Sequence, residues 1–111
     1  MGNILENEHD ETIWLAAILE GEGCFDSWKA KSQKRYPRIR IVMTDEDVVA
    51  RAAGIIGNGY HRIHTPFQKE RGWQPKYEVQ TTGENARRLM RRVLPYMGKR
   101  RSEKIVSLLK E

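Results

Sequence analysis

The stretch Trp14-Leu15-Ala16-Ala17-Ile18-Leu19-Glu20-Gly21-Glu22-Gly23-Cys24-Phe25 decides how this chain is read. Every residue from Trp14 to Leu19 is apolar or small, so a helix through them has no wet side. The pattern predicts a helix over about 11–20 that is covered on more than one side, and a second subunit is a natural source of the extra cover. Ala16 and Ala17 are small enough to let two helix backbones approach closely. Gly21 and Gly23 lower the cost of a sharp exit. Glu20 and Glu22 then stand at the negative end of the helix macrodipole, a poor place for acids kept for stability alone. A divalent cation would neutralise them, and Mg2+ prefers one or two carboxylates together with water and phosphate oxygens. The plainer reading makes Glu22 an exposed turn acid and Glu20 an ordinary helix-end residue.

Downstream, Cys24 to about Lys31 is predicted as a strand, Ser32 to Arg35 as a turn, and Tyr36 to Met43 as a second strand. In that strand Arg38 and Arg40 point one way and Ile39, Ile41 and Met43 the other, so one face is wet and cationic while the other joins the core. Thr44 is the expected N-cap of a helix ending near Ile56, with Asp45, Glu46 and Asp47 in its first turn. Gly57-Asn58-Gly59 turns the chain. Tyr60 to Thr65 is expected as a third strand, with Tyr60, Arg62 and His64 on one side. Pro66 to Pro75 is expected as a loop. Lys76 to Thr81 is the fourth strand, with Lys76 and Gln80 opposite to Tyr77 and Val79. Thr81 and Glu84 have capping-box spacing into a helix over about 83–94, Pro95 interrupts it, and a last helix covers about 101–109. The order is αββαββα with a further short helix, and the strand-strand-helix unit repeats. The expected class is α+β: a four-stranded antiparallel sheet with helices packed on one face. Its free face would be rich in Arg, Lys, Gln and His, a ribbon of the kind that lies in a major groove. Residues 1–10 are expected as a short mobile leader and 11–111 as a single domain.

The composition fits. The chain has 111 residues, 39% of them hydrophobic and 32% charged, which suits one folded domain with one modest core. No apolar run approaches the roughly 18 residues of a membrane span, so no membrane is expected among the partners. The single cysteine, Cys24, excludes an internal disulfide framework and a thiolate zinc cluster, and a reducing compartment follows simply. Charge is segregated. The first 28 residues hold seven acids and no Lys or Arg, whereas Lys29 to Arg40 hold six bases and no acid. From Thr81 onward nine bases face three acids. The net charge of +5 is thus concentrated, and a polyanion is the natural partner, because each base placed on a phosphate releases counterions. The ordinary alternative is a solvated basic face.

Leu15 to Gly23 resembles the signature of the LAGLIDADG homing endonucleases, by residue class at all nine positions and by identity at Leu15, Ala16 and Gly23. Cys24-Phe25 is a common sequel in that family. Ile56-Gly57-Asn58-Gly59-Tyr60 and Leu94-Pro95-Tyr96-Met97-Gly98-Lys99-Arg100 resemble its links into the third strand and the last helix. The resemblance covers roughly residues 12–110. It implies that the motif helix forms the interface between two similar halves. With one motif per chain, the active form is then a homodimer joined through Ile13, Trp14, Ala16, Ala17 and Glu20. It implies that Glu22 matches the metal-binding carboxylate, aided by the Gly21 backbone carbonyl, and that Glu20 serves local structure. The implied cofactor is Mg2+, for which Mn2+ or Ca2+ can substitute in a crystal. The implied activity is hydrolysis of both strands of a palindromic or near-palindromic double-stranded DNA site across the minor groove, leaving short 3′ overhangs. The implied setting is the cytoplasm of a bacterium or phage host, or an organellar matrix. Both acids are Glu where the signature has Asp, and Ala17 replaces a Gly, which widens the helix packing slightly.

The basic catalytic position near the last helix falls on Lys99 first and Arg100 next, among the cluster Lys99-Arg100-Arg101, where cations could steady phosphate charge. Candidate DNA-binding residues are Arg38, Arg40, Arg62 and His64 on strands. Lys29, Lys31, Gln33, Lys34 and Arg35 surround the first hairpin. Gln68, Lys69, Arg71, Gln74, Lys76 and Gln80 lie in and after the second loop. Arg87, Arg88, Arg91 and Arg92 line the third helix away from the sheet and read as a solvated face. Trp14 is expected in the core or interface. His9, His61 and His64 lack zinc spacing, and no phosphate-binding glycine loop is present. Two rivals to the enzyme stand: a catalytically silent DNA-binding protein or intron RNA maturase on the same scaffold, and a small basic domain that dimerises without a nucleic-acid target.

Overall fold

A computed structural model describes residues 7–110. Helix α1 spans Glu8–Glu22, strands β1 Gly23–Lys29 and β2 Arg35–Met43 follow as a hairpin, and helix α2 spans Glu46–Ile56. Strand β3 (His61–Ile63), a short helix α3 (Pro66–Glu70), strand β4 (Lys76–Thr82) and helix α4 (Gly83–Val93) repeat the unit. A 3-10 turn at Leu94–Tyr96 leads into helix α5, Lys99–Leu109. The four strands form one antiparallel sheet in the order β1-β2-β4-β3. The expected α+β architecture, a four-stranded antiparallel sheet with helices packed on it, is the one observed. No described helix is long and apolar enough to cross a membrane.

The alternation in β2 sets the layers. Pro37, Ile39 and Ile41 are fully buried, with Phe25 on one side and Val79 on the other. Against this face pack Leu15, Ala16 and Leu19 of α1, Val49, Ala52, Ala53 and Ile56 of α2, Ala86, Leu89, Met90 and Val93 of α4, and Ile105 and Leu108 of α5. Burying the larger of these side chains contributes about 1.5–3 kcal/mol each relative to exposure, which holds α1, α2, α4 and α5 on this face. α1 therefore meets the sheet through one stripe and leaves another uncovered.

Several boundaries differ from the sequence reading, each for a local reason. α1 starts at Glu8 because Asn7 caps it, accepting from the Asp10 N–H at 2.7 Å, so Glu8 to Asp10 form the first turn of α1. Residues 1–6 of the expected leader lie outside the described residues. α2 is capped at Asp45 and not at Thr44. It ends where Gly57 takes φ 90°, which a side chain resists. β3 is three residues long, not six. The expected loop after it contains α3, because Thr65 and Gln68 form a reciprocal capping box around Pro66. Thr81 and Glu84 form no such box: Thr81 is buried in β4, where its hydroxyl accepts from the Asn85 amide at 2.8 Å. The same amide donates to the Ile56 carbonyl at 3.1 Å, satisfying an end of α2. Arg92 is not simply solvated. Its guanidinium donates to the Thr12 hydroxyl and the Glu8 carbonyl, tying α4 to the start of α1.

Candidate functional site

Ladder partners share a face, so the register defines the side of the sheet turned away from the helices. It carries Asp26 and Trp28 of β1, Tyr36, Arg38 and Arg40 of β2, Lys76, Glu78 and Gln80 of β4, and His61 of β3. Arg38, Arg40, Lys76 and Gln80 stand where the sequence places them. Arg62 and His64 do not. Arg62 is paired with Tyr77, which packs on the core side, and its Nη2 lies 3.4 Å from His64 Nδ1. His64 Nε2 is held to the Trp73 carbonyl at 2.9 Å. His61, which the sequence reading passed over, takes the open face instead.

The open face is not purely cationic, as expected from β2 alone. Arg38 donates from Nε and Nη2 to both oxygens of Asp26, at 2.8 and 2.7 Å. This pairing holds the Asp26 carboxyl below its usual range, with the Arg38 hydrogen bonds as the main cause against some desolvation. Arg40 Nε donates to Glu78 at 2.6 Å, and His61 Nε2 stands 3.1 Å from the other Glu78 oxygen. Glu78 is 8% exposed, an acid buried in the middle of the sheet. Glu78 was missed because only strand pairing brings it beside Arg40. Its parity with Lys76 and Gln80 was the available signal.

The bare positive charge sits at the hairpin tip. Lys29, Lys31, Gln33, Lys34 and Arg35 are exposed there, with no acid between residues 29 and 35. The turn is closed by Gln33 N–H to the Ala30 carbonyl and Ala30 N–H to the Lys34 carbonyl, both 2.9 Å, and Gln33 adopts φ 71°. At the other end of the sheet, Arg71 lies over the Phe67 ring at 4.5 Å, and Phe67 meets Trp73 edge to face. Gln68 and Gln74 line a groove of about 440 Å³ with Thr44, Trp73 and Lys76. Lys69 is exposed beside it on α3. The Gln68 side-chain carbonyl is already engaged by the Thr65 N–H at 3.0 Å.

At the acidic corner the two glutamates part company. Glu20 accepts from the Gly98 N–H and, at 3.0 Å, from Arg101 Nε, while Arg101 Nη1 donates to the Gly23 carbonyl at 2.6 Å. Glu20 is thus committed within the chain. Glu22 is exposed and free of that clasp, and the adjoining Gly21 carbonyl belongs to the last helical turn, where intrahelical partners run out. A groove of about 270 Å³ beside them is lined by Gly23, Cys24, Phe25, Arg100, Arg101 and Lys104. Arg100 is where the sequence reading expects a cation. Lys99 does not line this groove, and Lys104, unpredicted, does. Spacing of Arg100 and Lys104 by one helical turn was the legible sign. Among the described residues no three His, Cys, Asp or Glu side chains converge as a metal site. The corner offers one exposed carboxylate and one carbonyl, hard oxygen donors of the type Mg2+ takes with water and phosphate.

Along α1, Ile13, Ala17 and Gly21 form an exposed line at one-turn spacing. Ile13 is 42% exposed. Trp14 and Ile18 lie half-buried against α2, with the Arg51 guanidinium 5.1 Å from the Trp14 ring. Ala16, expected at the interface together with Ala17, is 2% exposed and packs in the core of the chain itself.

The whole arrangement superposes on the homing endonuclease I-CvuI in complex with its target Sro1.3 in the presence of Ca, with a TM-score of 0.67 and 17% identity over 92% of this chain and 67% of that one. The fold is the LAGLIDADG fold. A second I-CvuI structure, in complex with the I-CreI target C1221 in the presence of Mg and with its DNA not cleaved, matches with a TM-score of 0.64 and 14% identity. That match covers 90% of this chain and 64% of I-CvuI, so the chain spans about two thirds of the structures it resembles. No protein-family profile and no curated protein matches the sequence. In the LAGLIDADG arrangement seen here, the motif residues Leu15 to Gly23 form the second half of α1 and its exit into β1.

Proposed function

We propose that this chain works as a homodimeric, sequence-specific DNA endonuclease dependent on Mg2+, for which Mn2+ or Ca2+ can stand in. The observation that carries the reading is the position of Glu22. An exposed carboxylate ends a helix whose uncovered stripe is small and apolar, beside an open sheet that carries arginine, lysine and glutamine. Two copies joined along Ile13, Ala17 and Gly21 would bring two Glu22 carboxylates and two Gly21 carbonyls together. Those groups would hold the divalent cation, which when bound supplies activation of water and stabilisation of charge on the scissile phosphate. Arg100, Arg101 and Lys104, with Lys99 at the start of the same helix, would offset phosphate charge beside it. The hairpin tip from Lys29 to Arg35 would grip the backbone, and Arg38, Arg40, Lys76 and Gln80 would face base edges.

The test is cleavage of a symmetric duplex recovered from a randomised library, with Mg2+ present. The native chain is expected to bind and cut both strands. Glu22→Gln is expected to bind the same duplex and leave it intact. Binding without cutting by the native chain would reduce the reading to a silent DNA-binding protein or a maturase. Absence of salt-sensitive duplex binding would remove nucleic acid altogether.

A further inference from the structure

The open face of the sheet holds its two central arginines in one particular way. Arg38 is fixed through Nε and Nη2 by Asp26, and Arg40 through Nε by Glu78, which is itself held by His61. A guanidinium carries five donors, so each arginine held on its Nε side keeps its far edge, Nη1 with the outer hydrogen of Nη2, for another acceptor pair. No described group accepts from Nη1 of either residue. Guanine offers such a pair in the major groove, at O6 and N7. The acids remove the rotamer freedom that an unsupported arginine loses on binding, and they turn a general phosphate binder into an aimed one.

Spacing adds a second constraint. Arg38 and Arg40 are two residues apart on one strand, about 6.6 Å at roughly 3.3 Å per residue. Stacked base pairs are spaced about 3.4 Å apart, so this matches two steps along a groove. We propose that Arg38 and Arg40 each read a guanine in every half-site, two base-pair steps apart, with Asp26 and Glu78 as their positioning residues. This rests on the duplex-binding reading above and adds to it which bases the target contains.

The experiment is selection from a randomised duplex pool, performed with the native chain, Arg38→Lys, Arg40→Lys, Asp26→Asn and Glu78→Gln. Lysine keeps the charge beside the acid and lacks the fork, so folding is preserved and can be checked by thermal unfolding. The native pool is expected to show two dominant G·C pairs per half-site with one pair between them. Arg40→Lys is expected to relax one of them by about tenfold and leave the other, and Arg38→Lys to do the reverse. The salt dependence of binding is expected to stay the same in both. Glu78→Gln is expected to weaken only the preference that depends on Arg40, and Asp26→Asn only that of Arg38. Unchanged preferences in the lysine variants, or a uniform loss across all sequences, would overturn this inference while leaving duplex binding intact. A native chain that binds no duplex would overturn both together.

Discussion

Glu20 at the end of α1 and Arg101 in the first turns of α5 face each other at 3.0 Å, although 81 residues separate them. Glu20 also accepts from the Gly98 N–H that opens α5, and Arg101 reaches on to the Gly23 carbonyl. The clasp fixes the basic face of α5 over the exit of the motif helix. Glu20→Ala is expected to lower stability by about 1–2 kcal/mol, the range for a charge-assisted bond that is partly exposed. Urea unfolding checks it. An unchanged midpoint would mean that α5 docks through Ile105 and Leu108 alone.

Gly21 and Gly23 should respond to alanine in opposite ways. A Cβ at Gly23 would come within 2.6 Å of Leu19 Cδ2 and 2.7 Å of the Leu19 carbonyl, and the backbone atom cannot yield cheaply. Gly23→Ala is expected to destabilise the chain severely, by about 2 kcal/mol or more, through overpacking. At Gly21 a Cβ meets nothing within 4 Å in the protomer, and the residue is helical. Gly21→Ala is expected to raise stability of the isolated protomer by about 0.5–1 kcal/mol. Thermal unfolding of the two variants beside the native chain, all at one protein concentration at which each sediments as a monomer, separates the cases.

Asp26 gives a pH dependence with a definite sign. Its carboxyl titrates below its usual range in the folded chain, chiefly through the Arg38 hydrogen bonds. The contribution is therefore fully present above the unfolded-state value. It is lost as pH falls through the lower folded-state value. Native chain and Asp26→Asn are expected to differ in stability at neutral pH, and the gap should close in strong acid. Urea midpoints measured from neutral pH into the acid range check this. A gap that stayed constant across the range would mean that Asp26 titrates normally.

Ala17→Glu tests the uncovered stripe of α1. Ala17 is exposed, so the protomer should keep its thermal midpoint within about 0.5 kcal/mol of native stability. On the proposed pairing, the native chain is expected to sediment as a dimer and the variant as a monomer, because two like charges would meet across the helices. If both chains sediment alike, the stripe is not where copies join.

The alternation of Arg38, Ile39, Arg40 and Ile41, the apolar run of α1 and the Gly57 stop were enough to place the sheet, its buried side and most helices. Those signals are local: each depends on residues one helical turn or one strand step apart. The charge segregation likewise located the basic hairpin. α3 was legible too, since Thr65, Pro66 and Gln68 carry a start signal that a loop reading overlooks.

Long-range pairing decided the rest. No periodicity in β4 says that Glu78 meets Arg40, because the strand order β1-β2-β4-β3 brings them together only after folding, and Asp26 meets Arg38 only in the register that the hairpin adopts. The short β3 takes its parity from β4, which turned Arg62 to the helix side and His61 to the open face, and it ends before His64. Ala16 and Ala17 are indistinguishable in a run of apolar residues, yet one is core and the other surface. A helix without a polar face leaves its rotation to be set by what packs against it. The sequence by itself determined the elements and the kinds of chemistry available; tertiary packing decided which charges meet and which helix face stays open.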